Sequence, residues 1–187
     1  MSNGKLGARS PKNSKILAVD PGVHGAIAYV ERNLQGKPVC ICIQDILTRG
    51  HVYGQLLDID RITHELNGLP IPDIVIFEEP LAVYSQPTRR TPQINTSAHT
   101  LKVSLVNFGR LQSVIEALTG IQEWRSVRPG VWKKCMGLTK SKRKSLELAR
   151  LSFPVALDLL SRLGDHDRAE ALLLAEYAHW HLWQPRA

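Results

Sequence analysis

Three apolar runs of strand character follow one another before residue 46, and the chain between them is too short for anything but reversal. Ile16, Leu17, Ala18 and Val19 form the first run. Ala26, Ala28 and Val30 alternate with Ile27 and Tyr29 in the second, and Val39, Ile41 and Ile43 alternate with Cys40 and Cys42 in the third. Pro21 and Gly22 supply the first turn. Consecutive strands with short connections favour an antiparallel meander. The first strand ends on Asp20, and a carboxylate there must be paired, solvated or bound to a cation, because burying it bare is costly. A plainer reading has Asp20 simply starting the turn by bonding nearby backbone.

The remaining segments change character. A helix fits residues 60–67, with Asp60 as cap and Gly68 as stop, followed by the strand "DIVIFEEP", which again terminates in acid. A long helix fits 97–118, stopped by Gly120. Then come a short strand "EWRSV", a brief helix at "PGVWKKCMG", a basic helix from Ser141 and a last helix from about Asp167. Three antiparallel strands followed by α/β alternation predict an α/β protein of the ribonuclease H-like arrangement, a mixed five-stranded sheet flanked by helices. The length of 187 residues suits one domain of that arrangement, expected over 15–187 after a flexible basic tail at 1–14. No run reaches the ~18 apolar residues of a membrane helix, and the first fifteen residues lack an apolar leader core. A cytoplasmic or nucleoid location is therefore expected, with an organellar one left open. Cys40, Cys42 and Cys135 lack metal-binding C-x-x-C spacing and are expected to be reduced core residues.

Charge is distributed unevenly. Between Gln86 and Arg150 there are 13 Lys or Arg against three acids, Glu116, Glu123 and Glu147, whereas the rest of the chain carries 11 basic and 14 acidic residues. This asymmetry predicts a polyanion-binding surface beside a separate carboxylate cluster, against the plain alternative of a solvated basic face. The carboxylates have a natural meeting place. If the first strand and "DIVIF" are neighbours, Asp20 and Glu78 end about 4.8 Å apart at one edge of the sheet, where they can share a cation. On the last helix, Asp167 and Glu170 are three apart and His166 and Glu170 four apart, so either pair projects from one face. Helix capping by Asp165 to Asp167 is the ordinary explanation for that cluster. Alternation turns Glu79 away from Glu78.

The strings "AVDPGVHGAIAYV", "VIFEEP", "NFGR", "VWKKCMGL" and "DHDRAEALLLAEYA", in this order, resemble the RuvC family of Holliday-junction resolvases, with the nearest kinship to its phage-type and chloroplast-type branch. The similarity spans about residues 15–180. It implies that Asp20, Glu78, Glu170 and either His166 or Asp167 form a metal-binding tetrad, because the family's two-acid pattern points to Asp167 and the chloroplast-like pattern to His166. It implies Mg²⁺, with Mn²⁺ able to substitute, and no small-molecule cofactor. Carboxylates with open positions suit such hard cations. His166, if not a ligand, could serve as a general acid or base, or simply as a cap or phosphate contact.

DNA contacts are expected from two segments. "LAVYSQPTRRTPQINT" follows the strand acids directly, which would put Arg89 and Arg90 on phosphates and Tyr84 on an unpaired base. Lys133, Lys134, Lys140, Lys142, Arg143 and Lys144 resemble the family's backbone-binding region, and the resemblance adds Arg110 of "NFGR". Trp132 is read as a core anchor. In the long helix, Leu101, Leu105, Phe108, Ile115 and Leu118 form one apolar stripe, and Gly109 permits close helix approach, at a cost of roughly 1 kcal/mol relative to alanine. By resemblance this helix also forms a homodimer contact, matching two active sites to a four-way junction. The expectation is a metal-dependent endonuclease cutting branched DNA as a homodimer. The alternatives are another ribonuclease H-like nuclease, monomeric or acting on RNA/DNA hybrids, and a non-catalytic junction-binding module. An actin-like ATPase needs two lobes, and 187 residues hold one.

Overall fold

The computed structural model describes residues 14–22, 24–51, 54–80, 98–121, 124–139 and 141–182. The meander forms as expected: β1 (Ser14–Val19) pairs antiparallel with β2 (Ala26–Arg32), which pairs antiparallel with β3 (Pro38–Asp45). β6 (Ile74–Glu78) joins the other side of β1 in parallel, and β7 (Arg125–Val127) adds in parallel to β6, so the sheet order is β3-β2-β1-β6-β7. This is the mixed five-stranded, ribonuclease H-like sheet. β1 opens at Ser14, one residue inside the expected tail; the rest of that tail lies outside the described residues. A hairpin that the sequence did not suggest, β4 (Thr48–His51) with β5 (Gly54–Leu57), forms a separate two-stranded sheet.

Both faces of the sheet are covered, which is why β1 and β2 read as nearly continuous apolar runs. Ile16, Ala18, Ala28, Val30 and Ile76 face one layer, formed by α3 (Pro129–Cys135), α4 (Lys142–Ser152), the 3₁₀ turn Pro154–Leu160 and α5 (His166–His181). Leu17, Val19, Ile27, Tyr29, Val75 and Phe77 face the opposite layer, which holds α1 (Ile59–Leu66) and α2 (Ala98–Thr119). The α5 segment Ala169–Ala175 is buried throughout, as expected for a helix laid centrally across the sheet. On the other face, Phe77, Phe108 and Trp124 meet edge to face with centroids 5.3–6.1 Å apart.

Several local expectations are corrected. Asp58, not Asp60, caps α1 by accepting from Arg61 N; both acids stand near the start, and only Asp58 lies outside the first turn. α4 begins after the Ser141 cap as expected. In α2, Phe108, Leu111 and Ile115 turn to the sheet, but Leu105 is half exposed beside Val106. Gly109 lies on that outer face, where an added Cβ would meet nothing within 4 Å. Cys135 is exposed at the end of α3, while Cys42 is partly buried against the α1–α2 layer. Among the described residues no helix is long and apolar enough to cross a membrane.

Candidate metal centre

The parallel register sets Val19 opposite Phe77, so Asp20 and Glu78 emerge side by side at the C-terminal edge of β1 and β6. The turn that carries Asp20 is closely built. Asp20 N donates to Ala26 O at 2.9 Å, Gly22 N donates to Asp20 Oδ1 at 3.1 Å, and a Cβ on Gly25 would lie 2.0 Å from Asp20 O. Only glycine fits at position 25. Asp20 thus does start the turn, and the same geometry aims its carboxylate across the sheet edge.

α5 brings the other acids. One carboxylate oxygen each from Asp20, Asp167 and Glu170 lies within 4.8 Å of the other two, the single such group among the described residues. Glu78 stands outside that trio, near enough for the Asp20 charge to raise its carboxyl. His166 is also outside it: its Nε2 lies 3.2 Å from Asp167 Oδ2 and close to Lys142 Nζ, and its Nδ1 is 3.3 Å from Leu163 O. Of the two residues left open at the helix start, Asp167 is the one brought into the cluster. Asp165 stands at the N-cap position of α5, but its side chain caps the preceding 3₁₀ turn instead: buried, it accepts from Arg162 N at 2.8 Å and from the Arg162 guanidinium at 2.7 Å, which holds its carboxyl below the usual range against the effect of burial. Glu79 turns outward to Arg128 and Ser126, as alternation predicted.

The cluster is electrostatically loaded. Burial pushes Asp20 up to about 6, with the charges of Glu170 and Asp167 adding to it, against the Gly22 N–H and Lys133. Burial also pushes Glu78 up to about 7, with Asp20 and Glu170 adding, against Lys133 and an indole hydrogen bond. Three donors meet these acids: Trp132 Nε1 donates to Glu78 Oε2 at 2.6 Å, Lys133 Nζ to Glu170 Oε2 at 2.8 Å, and Ser145 Oγ to Glu170 Oε1 at 3.0 Å. Trp132 is fully buried, the core anchor it was read to be, with a polar end that the sequence did not disclose. Lys133, expected on DNA phosphates, instead points its ammonium into the acids. An all-oxygen donor set, crowded enough to keep protons at near-neutral pH, fits a hard divalent cation.

The other expected DNA contacts divide. Lys134, Lys142, Arg143 and Lys144 are exposed, with Arg143 bonded to Glu147. Lys142 lies 3.8 Å from Asp167 Oδ1 at the rim of the cluster. Beside it an open cleft of about 580 Å³ is lined by His24, Asp45, Thr48, Arg162, His166 and Asp167, among others. Arg110 lies on α2, on the opposite face of the sheet from α3 and α4, beside an open groove with Leu105, Val106 and Gly109. Tyr84, Arg89, Arg90 and Lys140 lie outside the described residues.

No protein-family model and no curated protein sequence matches the chain. Its fold is similar to solved structures, among them RuvC of Thermus thermophilus, at 15% sequence identity and a TM-score of 0.51, with 90% of this chain and 95% of that one covered. At that identity the likeness establishes the architecture.

Proposed function

We propose that the protein is a divalent-cation-dependent endonuclease that cuts branched DNA, the Holliday junction in particular, as a homodimer, of the phage-type and chloroplast-type RuvC kind. The observation that carries this reading is the convergence of Asp20, Asp167 and Glu170 beside Glu78 at one edge of a ribonuclease H-like sheet. These four acids would hold Mg²⁺, or Mn²⁺ in its place. Bound there, such ions supply an activated water and neutralise charge on the scissile phosphate. The chain's own groups do the rest. Lys133 balances the acids until cations and a phosphate take over that charge. Lys142 and His166, at the rim, are placed to meet phosphate oxygens entering the cleft, and Lys134, Arg143 and Lys144 extend the positive surface outward. Arg89, Arg90 and Lys140 are assigned to phosphates and Tyr84 to an unpaired base on sequence grounds. The second copy is assigned to the exposed α2 face around Leu105, Val106 and Gly109.

Cleavage of an immobile four-way junction, a linear duplex and an RNA/DNA hybrid, each with and without Mg²⁺, tests the reading. Paired nicks in the junction alone, dependent on Mg²⁺, are expected. Preference for the hybrid would replace the resolvase by another nuclease of this fold, and tight junction binding without cleavage would leave a binding module.

A further inference from the structure

Two acids of the cluster, Glu170 and Glu78, are not held alike. Lys133 meets Glu170 with a full positive charge, which a cation at the cluster must displace or share. Trp132, its neighbour on α3, meets Glu78 with an indole N–H, a donor that carries no charge and cannot accept. We propose that Trp132 is a positioning residue for the metal centre: its Nε1 pins Glu78 Oε2, so that Oε1 remains the oxygen free to serve a cation beside Asp20. The proposal rests on the reading of Glu78 as a cation ligand.

The geometry supports that role in three ways. The bond is short, 2.6 Å, and holds one of the two carboxylate oxygens. The indole is fully buried in the layer that α4 and α5 build on the sheet, so it has no other conformation to adopt without opening the core. A neutral donor also orients a ligand without competing for its charge, which an ammonium cannot do. Glu78 is the acid most in need of such support, since it lies outside the close trio of Asp20, Asp167 and Glu170 and must be aimed to join them. Ser145 Oγ holds Glu170 Oε1 in the same neutral manner from α4. Partners of ligands typically affect metal affinity by about 10- to 100-fold.

The test is Mg²⁺ binding to the full-length protein, followed by calorimetry and by the ¹H–¹⁵N resonance of the Trp132 indole, assigned through bonds. That resonance is expected far downfield in wild type, to shift on Mg²⁺ addition, and to move upfield in Glu78→Gln, where the acceptor loses its charge. Trp132→Phe is expected to weaken Mg²⁺ by about tenfold or more, and combining it with Glu78→Gln is expected to add little to Glu78→Gln alone. Leu146→Val, a core change in the same layer, is expected to lower thermal stability and leave Mg²⁺ affinity unchanged, which separates positioning from packing. The proposal is overturned by unaltered affinity in a folded Trp132→Phe, by an equal loss in Leu146→Val, or by an indole resonance indifferent to both Mg²⁺ and Glu78→Gln; the last measurement stands even if Trp132→Phe does not fold. Glu78→Ala keeps the two readings apart: if it binds Mg²⁺ as wild type does, Glu78 is not a ligand and the metal centre itself must be redrawn.

Discussion

α5 carries charged side chains at both ends, and the two ends are built to opposite rules. Near its C-terminus every formal charge is answered. Glu176 pairs with Arg32, which also donates to Gly36 O at 2.7 Å and stacks its guanidinium 5.7 Å from the Phe153 ring. Glu176 further accepts from Trp180 Nε1 at 2.6 Å, and the neutral His179 ring meets Ser14 Oγ at 3.0 Å. Near its N-terminus, Asp167 and Glu170 are instead pressed toward Asp20, with Lys133 and the rim residue Lys142 as the cations at hand. Burial at the first end is largely the ordinary closure of polar groups in a core, with Arg32 Nε and His179 Nε2 left without a hydrogen-bond partner among the described residues. At the second it is deferred: the acids are assembled and partly dehydrated with less positive charge than they need. The charge left incomplete at this end is what the proposed divalent cation would answer.

The largest effect should come from removing one acid of the incomplete end. Asp20→Asn is expected to reduce junction cleavage by about 10³-fold or more, since an ion pair at the phosphate is worth several kcal/mol. The same change should raise the melting temperature of the metal-free protein by relieving repulsion from Glu170 and Asp167. Cleavage near the wild-type rate would remove Asp20 from the site. At the completed end the sign reverses. Glu176→Gln leaves Arg32, only 5% exposed, without its counter-charge, and should cost about 3–5 kcal/mol in urea unfolding, with metal affinity kept. A loss below 1 kcal/mol would mean that the pair is more open to water than its burial implies.

Much of this contrast was legible in the sequence because it follows from periodicity. Nearly continuous apolar runs in β1 and β2 are what two covered faces require, and strands followed by Asp20 or ending in Glu78 meet once they are known to be parallel neighbours. Spacing on α5 put Asp167 and Glu170 on one face. The supporting donors were not legible: Trp132, Lys133 and Ser145 reach their acids across 54, 37 and 25 residues of chain, and nothing local marks a Trp as polar or a Lys as inward-facing. The β4–β5 hairpin escaped notice because its strands have four residues each and include Gly50 and Gly54. Helical spacing puts Leu105 on the apolar stripe of α2 and residue type puts Cys135 in the core, and both are exposed.

The two ends should also respond to pH in opposite directions. Asp20 and Glu78 bind protons more tightly folded than unfolded, so their contribution to metal-free stability is complete below about pH 4 and is lost as pH rises through 6 to 7. His179 is lowered to about 4, by burial first and then by Arg32, so its contribution is complete above about 6.5 and is lost as pH falls toward 4. Denaturation midpoints measured in chelator from pH 4 to 7 should therefore rise with pH more steeply in Asp20→Asn than in wild type, and fall with pH in His179→Gln. Parallel curves for all three proteins would show that neither end titrates in this window. Saturating Mg²⁺ should restore the stability lost at the acidic end near pH 7 and leave the His179 contribution unchanged.

The smallest effects decide which side chain at the start of α5 belongs to the incomplete end. Asp167 supplies an oxygen to the close trio, whereas His166 leans on Asp167 and lies near Lys142. Asp167→Asn should therefore weaken Mg²⁺ binding by about 10- to 100-fold. His166→Ala should weaken it only by the few-fold expected of a residue that orients another. Its effect should also vanish in the Asp167→Asn background, because an influence exerted through Asp167 has nothing left to act on. Calorimetric titration of the two single variants and the double variant measures all three. If His166→Ala costs as much as Asp167→Asn and the losses add, the imidazole binds the cation directly. The completed cluster would then contain a nitrogen, and its preference should move from Mg²⁺ toward Mn²⁺.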